Sequence, residues 1–435
     1  MREIQHMDAW DAIVVGAGPA GLFTALHLGR HPLGVLVLEK KKQPGRKLLL
    51  TGGGHCNFTH AGGLAHFLGR YGEGGEFLRP ALSACSSRKL IRFFSEHGVP
   101  SLTEPGGRVL PESGRAGHVL DALLQGLGQG QAELRTSTPV QGVSREPSAL
   151  FRVDTPSGEE RARCVVLSCG GKSYPATGST GDAYAWAERL GHRVIPPRPA
   201  LTALLVRPTP LTRLTGLALP ATPVSLWKKG QRAHRLVGDV LITHQGLSGP
   251  AIQDLSRHAE PGDRLTLQLV PAPGEERLIP ELLEAWEKNG SRMLSTFLQK
   301  LGLTARLAEV VSLVASADPL QKLAKFAKKD RLATLNALCD FPLTVRDRAG
   351  FEQAMVTQGG VCRSEVLPAT MESLRQPGLF FAGEVLDVDG DCGGYNLQAA
   401  FSTGYLAAQG VRRYLETTDR DRAPPPGYSV YSPSL

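Results

Sequence analysis

Apolar residues in this chain come in short unbroken runs near both ends and in a different rhythm in the middle. Near the start, Ala12-Ile13-Val14-Val15 has no polar break, the pattern of a parallel strand buried on both faces. Pro19 suits a first helical turn, and residues 20–29 continue as a helix. Residues 34–38 predict a second buried strand, and 139–143 and 165–167 two more. Residues 177–182 read as a turn and a helix N-cap. Far along the chain, residues 379–382 form another apolar run, and a small-residue helix begins near Tyr395 and passes Ala399, Ala400 and Gly404.

The middle differs. Residues 200–270 are rich in β-branched residues and prolines, with strand-length runs at 201–206 and 239–243. Residues 276–340 place Leu294, Phe297, Leu298 and Leu301, then Leu307, Val310, Val311 and Val314, at helical spacing. Strand-like chain resumes near Phe351. The pattern predicts one domain built from residues 1–197 and 348–413, interrupted by a β-rich part at 198–274 and a helical part at 275–347. Residues 414–435, with three consecutive prolines at 424–426, read as a loose tail.

With 435 residues the chain can bury a large core. The net charge of +8 permits an anionic partner, but Lys and Arg are scattered, and Lys40-Lys41-Lys42 is too short for a nucleic-acid tail. Nucleic acid is therefore disfavoured as a partner without being excluded. Seven cysteines without a CxxC argue against a disulfide framework or a zinc ribbon, so no metal is expected. No run reaches the roughly 20 apolar residues of a membrane span. The expectation is a soluble cytoplasmic protein, monomer or homodimer.

Chemistry enters between the first strand and helix. Gly16, Gly18 and Gly21 are spaced GxGxxG, with Ala17, Pro19 and Ala20 between them. Gly16 permits a sharp turn, Gly18 lets the backbone approach a pyrophosphate, and Gly21 lets the helix pack on the strand. The helix start presents free N–H groups and a positive dipole end to phosphates. Glu39 ends the second strand, placed for a ribose hydroxyl. Lys40, Arg46 and Lys47 follow as cations for phosphate or the adenosine edge. Cys169, Gly170 and Gly171 end another strand, suited to close backbone approach. The distal run puts Gly383-Glu384 after a strand, then a loop through Asp391 to Gly393-Gly394 and a helix from Tyr395 and Asn396. A strand–Gly–acid unit suits a ribityl hydroxyl, and the helix start suits a flavin edge that gains negative charge on reduction. That selects FAD over NAD.

The chain resembles the HI0933-like flavoproteins, a group that includes aminoacetone-oxidase-like and bile-acid-reductase-like proteins. The resemblance is carried by GAGPAG (16–21), GRKLLLTGGGHCNFT (45–59), CGGKSYPATGSTGDAY (169–184), THQGLSGPAI (243–252), VTQGGV (356–361) and the run from 370 to 404. It implies an α/β fold: a two-dinucleotide-binding-type FAD domain, a Rossmann-like ββα three-layer arrangement, interrupted by an all-β part and a small helical bundle. It implies Arg46 and Lys47 as FAD contacts. Related folds also read the adenine edge through the backbone of a residue placed as Val140 is. Family members carry Arg where this chain has His55.

Between these anchors lies Thr51-Gly52-Gly53-Gly54-His55-Cys56-Asn57. It lacks the GK[ST] ending of a Walker loop. The expected role is a backbone cradle along the flavin from Gly53 and Gly54, with Cys56 and Asn57 against the ring or ribityl chain. His55, Cys56 and Tyr395 are the candidates for proton chemistry. The function expected is an oxidoreductase with non-covalent FAD that moves hydride between flavin N5 and a small organic substrate. NAD(P)H docking transiently, or oxygen, completes the cycle. The reaction is either reduction of an activated C=C bond or oxidation of an amine or alcohol. RNA modification and a non-catalytic flavin redox protein are the alternatives.

Overall fold

The computed structural model describes residues 9–270 and 275–422. The chain divides into two compact units, one from residues up to 198 and from 356 on, the other from 199–355.

The first unit is built on a seven-stranded sheet. Its strands are β1 (Trp10–Val15), β2 (Val35–Leu38), β3 (Ala132–Arg135), β4 (Gly142–Arg145), β5 (Phe151–Thr155) and β6 (Gly158–Leu167), in the order β3-β2-β1-β6-β5-β4. The strand Leu379–Phe381 pairs on the end of β6. The β3, β2, β1 and β6 neighbours are parallel, while β6, β5 and β4 form an antiparallel meander. Long β6 serves both parts: Ala162 pairs with Trp10 on one side and Phe151 on the other. The apolar runs behave as their composition demands, with Ala12, Ile13, Val14 and all of β2 buried.

Helix α1 (Pro19–Leu28) is apolar nearly all round because it is enclosed between the sheet and the long helix Tyr395–Arg422. Small residues set that contact. A Cβ on Gly404 would stand 2.5 Å from the Ala20 carbonyl oxygen, and Thr24 Oγ1 donates to the Gly404 carbonyl at 3.0 Å.

The second unit is a closed six-stranded barrel with helices packed on it. Its strands are β7 (Leu204–Val206), β8 (Ala218–Lys228), β9 (Gln231–Ile242), β10 (Gly246–Ser248), β11 (Arg264–Leu267) and β12 (Phe341–Arg348), in the order β7-β10-β9-β8-β11-β12 and back to β7. Val224, Leu226, Leu265, Leu267, Leu343 and Val345 are buried in its core. Lys229 and Gly230 turn the β8–β9 hairpin with φ of 50° and 81°, the pairing a tight primed turn requires. Between β11 and β12 lie Glu275–Lys288, Leu294–Lys300, Ala305–Val314 and Lys328–Cys339, all helical, with Trp286 edge-on to Phe297 and Phe326.

Four expectations need correction. Residues 341–347, read within the helical part, and Arg348, read in the first domain, form the strand Phe341–Arg348 that closes the barrel, because Leu267 pairs with Phe341 and Leu204 with Arg348. The strand expected near Phe351 starts at Val356. Val140 precedes β4 rather than lying in a strand. Helix continues from Tyr395 to Arg422, so residues 414–422 are not a loose tail, and Leu415 is buried. Residues 423–435 lie outside the described residues.

Candidate functional site

The turn after β1 is forced by its glycines. Gly16 has φ of 99°, and a Cβ there would stand 2.8 Å from the Ser168 carbonyl oxygen. A Cβ on Gly21 would stand 1.9 Å from the Gly16 carbonyl oxygen, so α1 starts in direct contact with the loop. Gly18 caps α1 without a side-chain bond, Pro19 follows at the first position, and a Cβ on Gly18 would meet nothing within 4 Å. The space beside Gly18 lies at the positive end of the helix, which fits a phosphate group. Beside them, Glu39 Oε2 accepts from the Ala17 N–H at 2.9 Å and Oε1 from the Lys41 N–H at 2.8 Å. A carboxylate held by two amides keeps lone pairs for hydroxyl donors. Lys40 turns elsewhere: its Nζ lies 2.6 Å from both Thr180 Oγ1 and Asp182 Oδ2. Within the 177–182 stretch read as a turn and N-cap, Gly181 is the N-cap, with φ of 80°, and Asp182 is the first residue of the helix.

A polar knot joins three distant segments. The ammonium of Lys47, on the short helix Arg46–Leu50, bonds Glu384 closely and reaches Ser173 Oγ at 2.8 Å and Ser179 Oγ at 3.3 Å. Glu384 Oε1 accepts from Ser173 Oγ at 2.6 Å and from the Thr357 N–H at 2.8 Å. Thr357 Oγ1 in turn accepts from the Lys172 N–H at 2.7 Å and the Ser173 N–H at 3.1 Å. Gly171 is required, since a Cβ would stand 2.3 Å from Thr357 Oγ1, and Gly170 has φ of 74°. Gly383, with φ of 77°, sits against Ala20 of α1. Burial pushes the Cys169 thiol up to about 12, and it donates to the Val15 carbonyl at 3.4 Å. Arg46 is exposed and takes no part in the knot. Ser173, Ser179 and Thr357 were not named as site side chains from sequence; their signals were the hydroxyl-rich stretch KSYPATGST (172–180) for the serines and the glycine-rich stretch VTQGGV (356–361) for Thr357.

The third part surrounds the start of the long helix. Gly52, Gly53 and Gly54 are consecutive left-handed residues (φ 57°, 65° and 96°), and Cys56 follows at 56° with its N–H returned to the Thr51 carbonyl. Cys56 is fully buried, and burial pushes its thiol up to about 12. It stays protonated near neutrality, so its part here is packing. His55 is exposed, with Nδ1 2.9 Å from the Gly114 carbonyl oxygen. Asn57 Oδ1 accepts from the Val109 N–H at 3.2 Å, and a Cβ on Gly394 would stand 2.7 Å from that oxygen. Gly393 also has left-handed φ. Asn396 pins the preceding loop through the Gly390 N–H (2.8 Å) and carbonyl (2.9 Å). Asp391 lies 3.4 Å from Arg70.

Tyr395 is buried in a ring cluster. Its ring stacks on His60 with centroids 4.9 Å apart, its carbonyl accepts from Tyr71 Oη at 2.8 Å, and its Oη lies 2.8 Å from His66 Nε2. Burial, then the Arg70 and His60 charges, push His66 below the ordinary histidine range, so its ring is neutral near pH 7. Burial pushes the Tyr71 phenol far above its ordinary value. His66 and Tyr71 were also missed, because nothing in their spacing ties them to Tyr395.

Residues 10–410 match the family model described as the HI0933-like protein Rossmann domain. The chain is 31% identical over 405 residues to the ribosomal RNA dihydrouridine synthase of Escherichia coli strain K12, covering 93% of this chain and 98% of that one. It is 31% identical over 407 residues to the 3-dehydro-bile acid delta(4,6)-reductase of Clostridium scindens, covering 91% and 97%. Among solved structures, a 3-ketosteroid-delta4-(5alpha)-dehydrogenase from Rhodococcus jostii RHA1 is similar with a TM-score of 0.51 at 17% identity, covering 95% of this chain and 98% of that one; this likeness is one of fold. No helix among the described residues is long and apolar enough to cross a membrane. The loop-and-helix start at residues 16–21, the acids that end two parallel strands and the match across nearly the whole chain agree: the protein belongs to the HI0933-like Rossmann family of FAD-binding oxidoreductases.

Proposed function

We propose that this protein is an FAD-dependent reductase that adds hydrogen across a carbon–carbon double bond conjugated to a carbonyl, and that its substrate is a uridine in RNA. The observation that carries the reaction class is the pair of full-length relatives. One is named for making dihydrouridine and the other for reducing delta(4,6) double bonds, so unlike substrates share one bond type. The charge of the second unit favours RNA: residues 199–355 hold 20 Lys and Arg against 15 Asp and Glu.

Bound FAD supplies the hydride. The chain's own residues supply position and protons. The α1 amides and the Gly16 turn take the pyrophosphate, and Glu39 an adenosine ribose hydroxyl. Glu384 takes a ribityl hydroxyl, with Lys47 and Ser173 fixing its carboxylate. The start of the long helix would offer positive potential to the flavin edge. Tyr395 and His66 form the proton route, since a C=C bond that gains hydride must also gain a proton.

An anaerobic two-step assay tests this reading. NADH or NADPH is expected to bleach the flavin, and uridine-containing RNA to restore its colour while gaining two hydrogens per modified base by mass. Bleaching by an amine or alcohol without nucleotide would replace this reading with an oxidase. Reoxidation by a small enone and not by RNA would keep the bond type and remove the RNA substrate.

A further inference from the structure

We propose that the outer face of the β8–β9–β11 ladder is the surface on which this protein grips an unpaired segment of RNA. This rests on the RNA reading above and adds where the contact is made. Three residues far apart in sequence become neighbours in one row across three strands: Trp227 on β8 pairs with Arg232 on β9 and with Arg264 on β11. Both arginines are exposed and Trp227 is half-buried. The Arg264 guanidinium lies over the Trp227 ring, 5.4 Å from its centre. The ring is oriented from below, because its Nε1 donates to Thr266 Oγ1 at 3.1 Å and that hydroxyl donates to Asp340 at 3.1 Å.

The row has a cationic end and an apolar end. At the hairpin tip, Lys229 is exposed, while Lys228 is half-exposed and 3.5 Å from Asp263. In the other direction, Arg235 donates to Gln268 Oε1 at 3.2 Å. Both then line a groove of about 680 Å³ with Pro223, Val237, Leu303 and Leu307. That volume is in the range of small-ligand pockets and holds a base turned out of a strand. Guanidinium groups beside an indole face suit a nucleic acid better than an acidic peptide or a lipid headgroup. The charges meet phosphates and a base stacks on the Trp227–Arg264 pair; an unpaired strand presents both at once, and the substrate reading above makes that strand RNA.

The test uses holoprotein, a uridine-containing RNA hairpin with an unpaired loop, and anisotropy over a salt series. Trp227→Ala is expected to weaken binding about tenfold or more, and Arg232→Gln with Arg264→Gln to flatten the salt slope by about 1 to 2. Flavin content and bleaching by nucleotide should match the unsubstituted protein. If both variants bind RNA as tightly and with the same slope while the protein still modifies RNA, the proposed surface is wrong and the substrate reading survives. If the unsubstituted protein binds no RNA at low salt yet turns over a small enone, reading and surface fall together. Binding to phosphatidylserine vesicles, lost in these variants, with none to RNA would also overturn the proposal.

Discussion

Gly16 and Gly18 stand two residues apart and differ in what a methyl group would meet. At Gly16 the left-handed backbone and the Ser168 carbonyl leave no room, so Gly16→Ala should destabilise the apoprotein by about 1–3 kcal/mol, read by its melting temperature. At Gly18 the space is open, and Gly18→Ala should leave apoprotein melting nearly unchanged. It should instead weaken FAD about tenfold, measured by flavin titration, if that space receives the pyrophosphate. Lys47 gives a second residue-scale test. Lys47→Met strands the half-buried Glu384 carboxylate without its cation, at a cost of about 1–3 kcal/mol. Adding Glu384→Gln should restore much of the apoprotein stability, and no recovery in the double variant would show that the pair is not coupled. At this scale the sequence was partly legible. Glu39 and Glu384 declare themselves as acids at strand ends, while Ser173, Ser179 and Thr357 meet only because three loops converge, which no local pattern encodes.

Helix packing decides how firmly these residues are held. Gly404→Ala puts a methyl group against the Ala20 carbonyl at a backbone–backbone contact, and should lower stability by about 1–3 kcal/mol and loosen flavin together. A cysteine or bulky residue on the exposed face of the same helix should do neither. Helix α1 also carries an acid-labile group. His27 sits edge-on to Phe23 and Tyr405, and burial, then Arg30, Lys89 and other nearby cations, push it down to about 3. The unfolded chain takes this proton below about 6.5 and the folded one does not until about 3, so the folded state loses stability as pH falls through that window. His27→Phe should flatten the loss by up to about 1.4 kcal/mol per pH unit, measured by denaturant unfolding between those values. Element by element, α1, β1, β2 and the helices after residue 293 could be read from apolar rhythm alone. The closing strand Phe341–Arg348 was hidden by its position, since its partners Leu267 and Leu204 precede it by more than a whole helical segment. The Trp227–Arg232–Arg264 row was hidden in the same way: cross-strand neighbours leave no trace in linear spacing.

At the scale of the molecule, one unit is continuous in sequence and the other is not. Strands Val194–Ala200 and Val356–Val361 pair where the chain leaves the first unit and where it returns, and the Met355 N–H reaches the Leu201 carbonyl at 3.3 Å. Replacing residues 199–355 by a short flexible linker should therefore leave a folded protein that retains flavin and has lost RNA affinity; loss of flavin would show that the first unit needs the second to fold. The same discontinuity sets an order of events during synthesis. The barrel and its helices are complete once residue 355 has emerged, and domains fold as units as they appear. The first unit must wait for Leu379–Phe381 to join β6, and for the long helix to cover α1. Glu384 and the start of that helix arrive in this same last stretch. A polypeptide halted between residue 355 and that stretch would carry a finished barrel and an unfinished cofactor site, so acquisition of the yellow cofactor should mark the emergence of the segment from Leu379 through the start of the long helix.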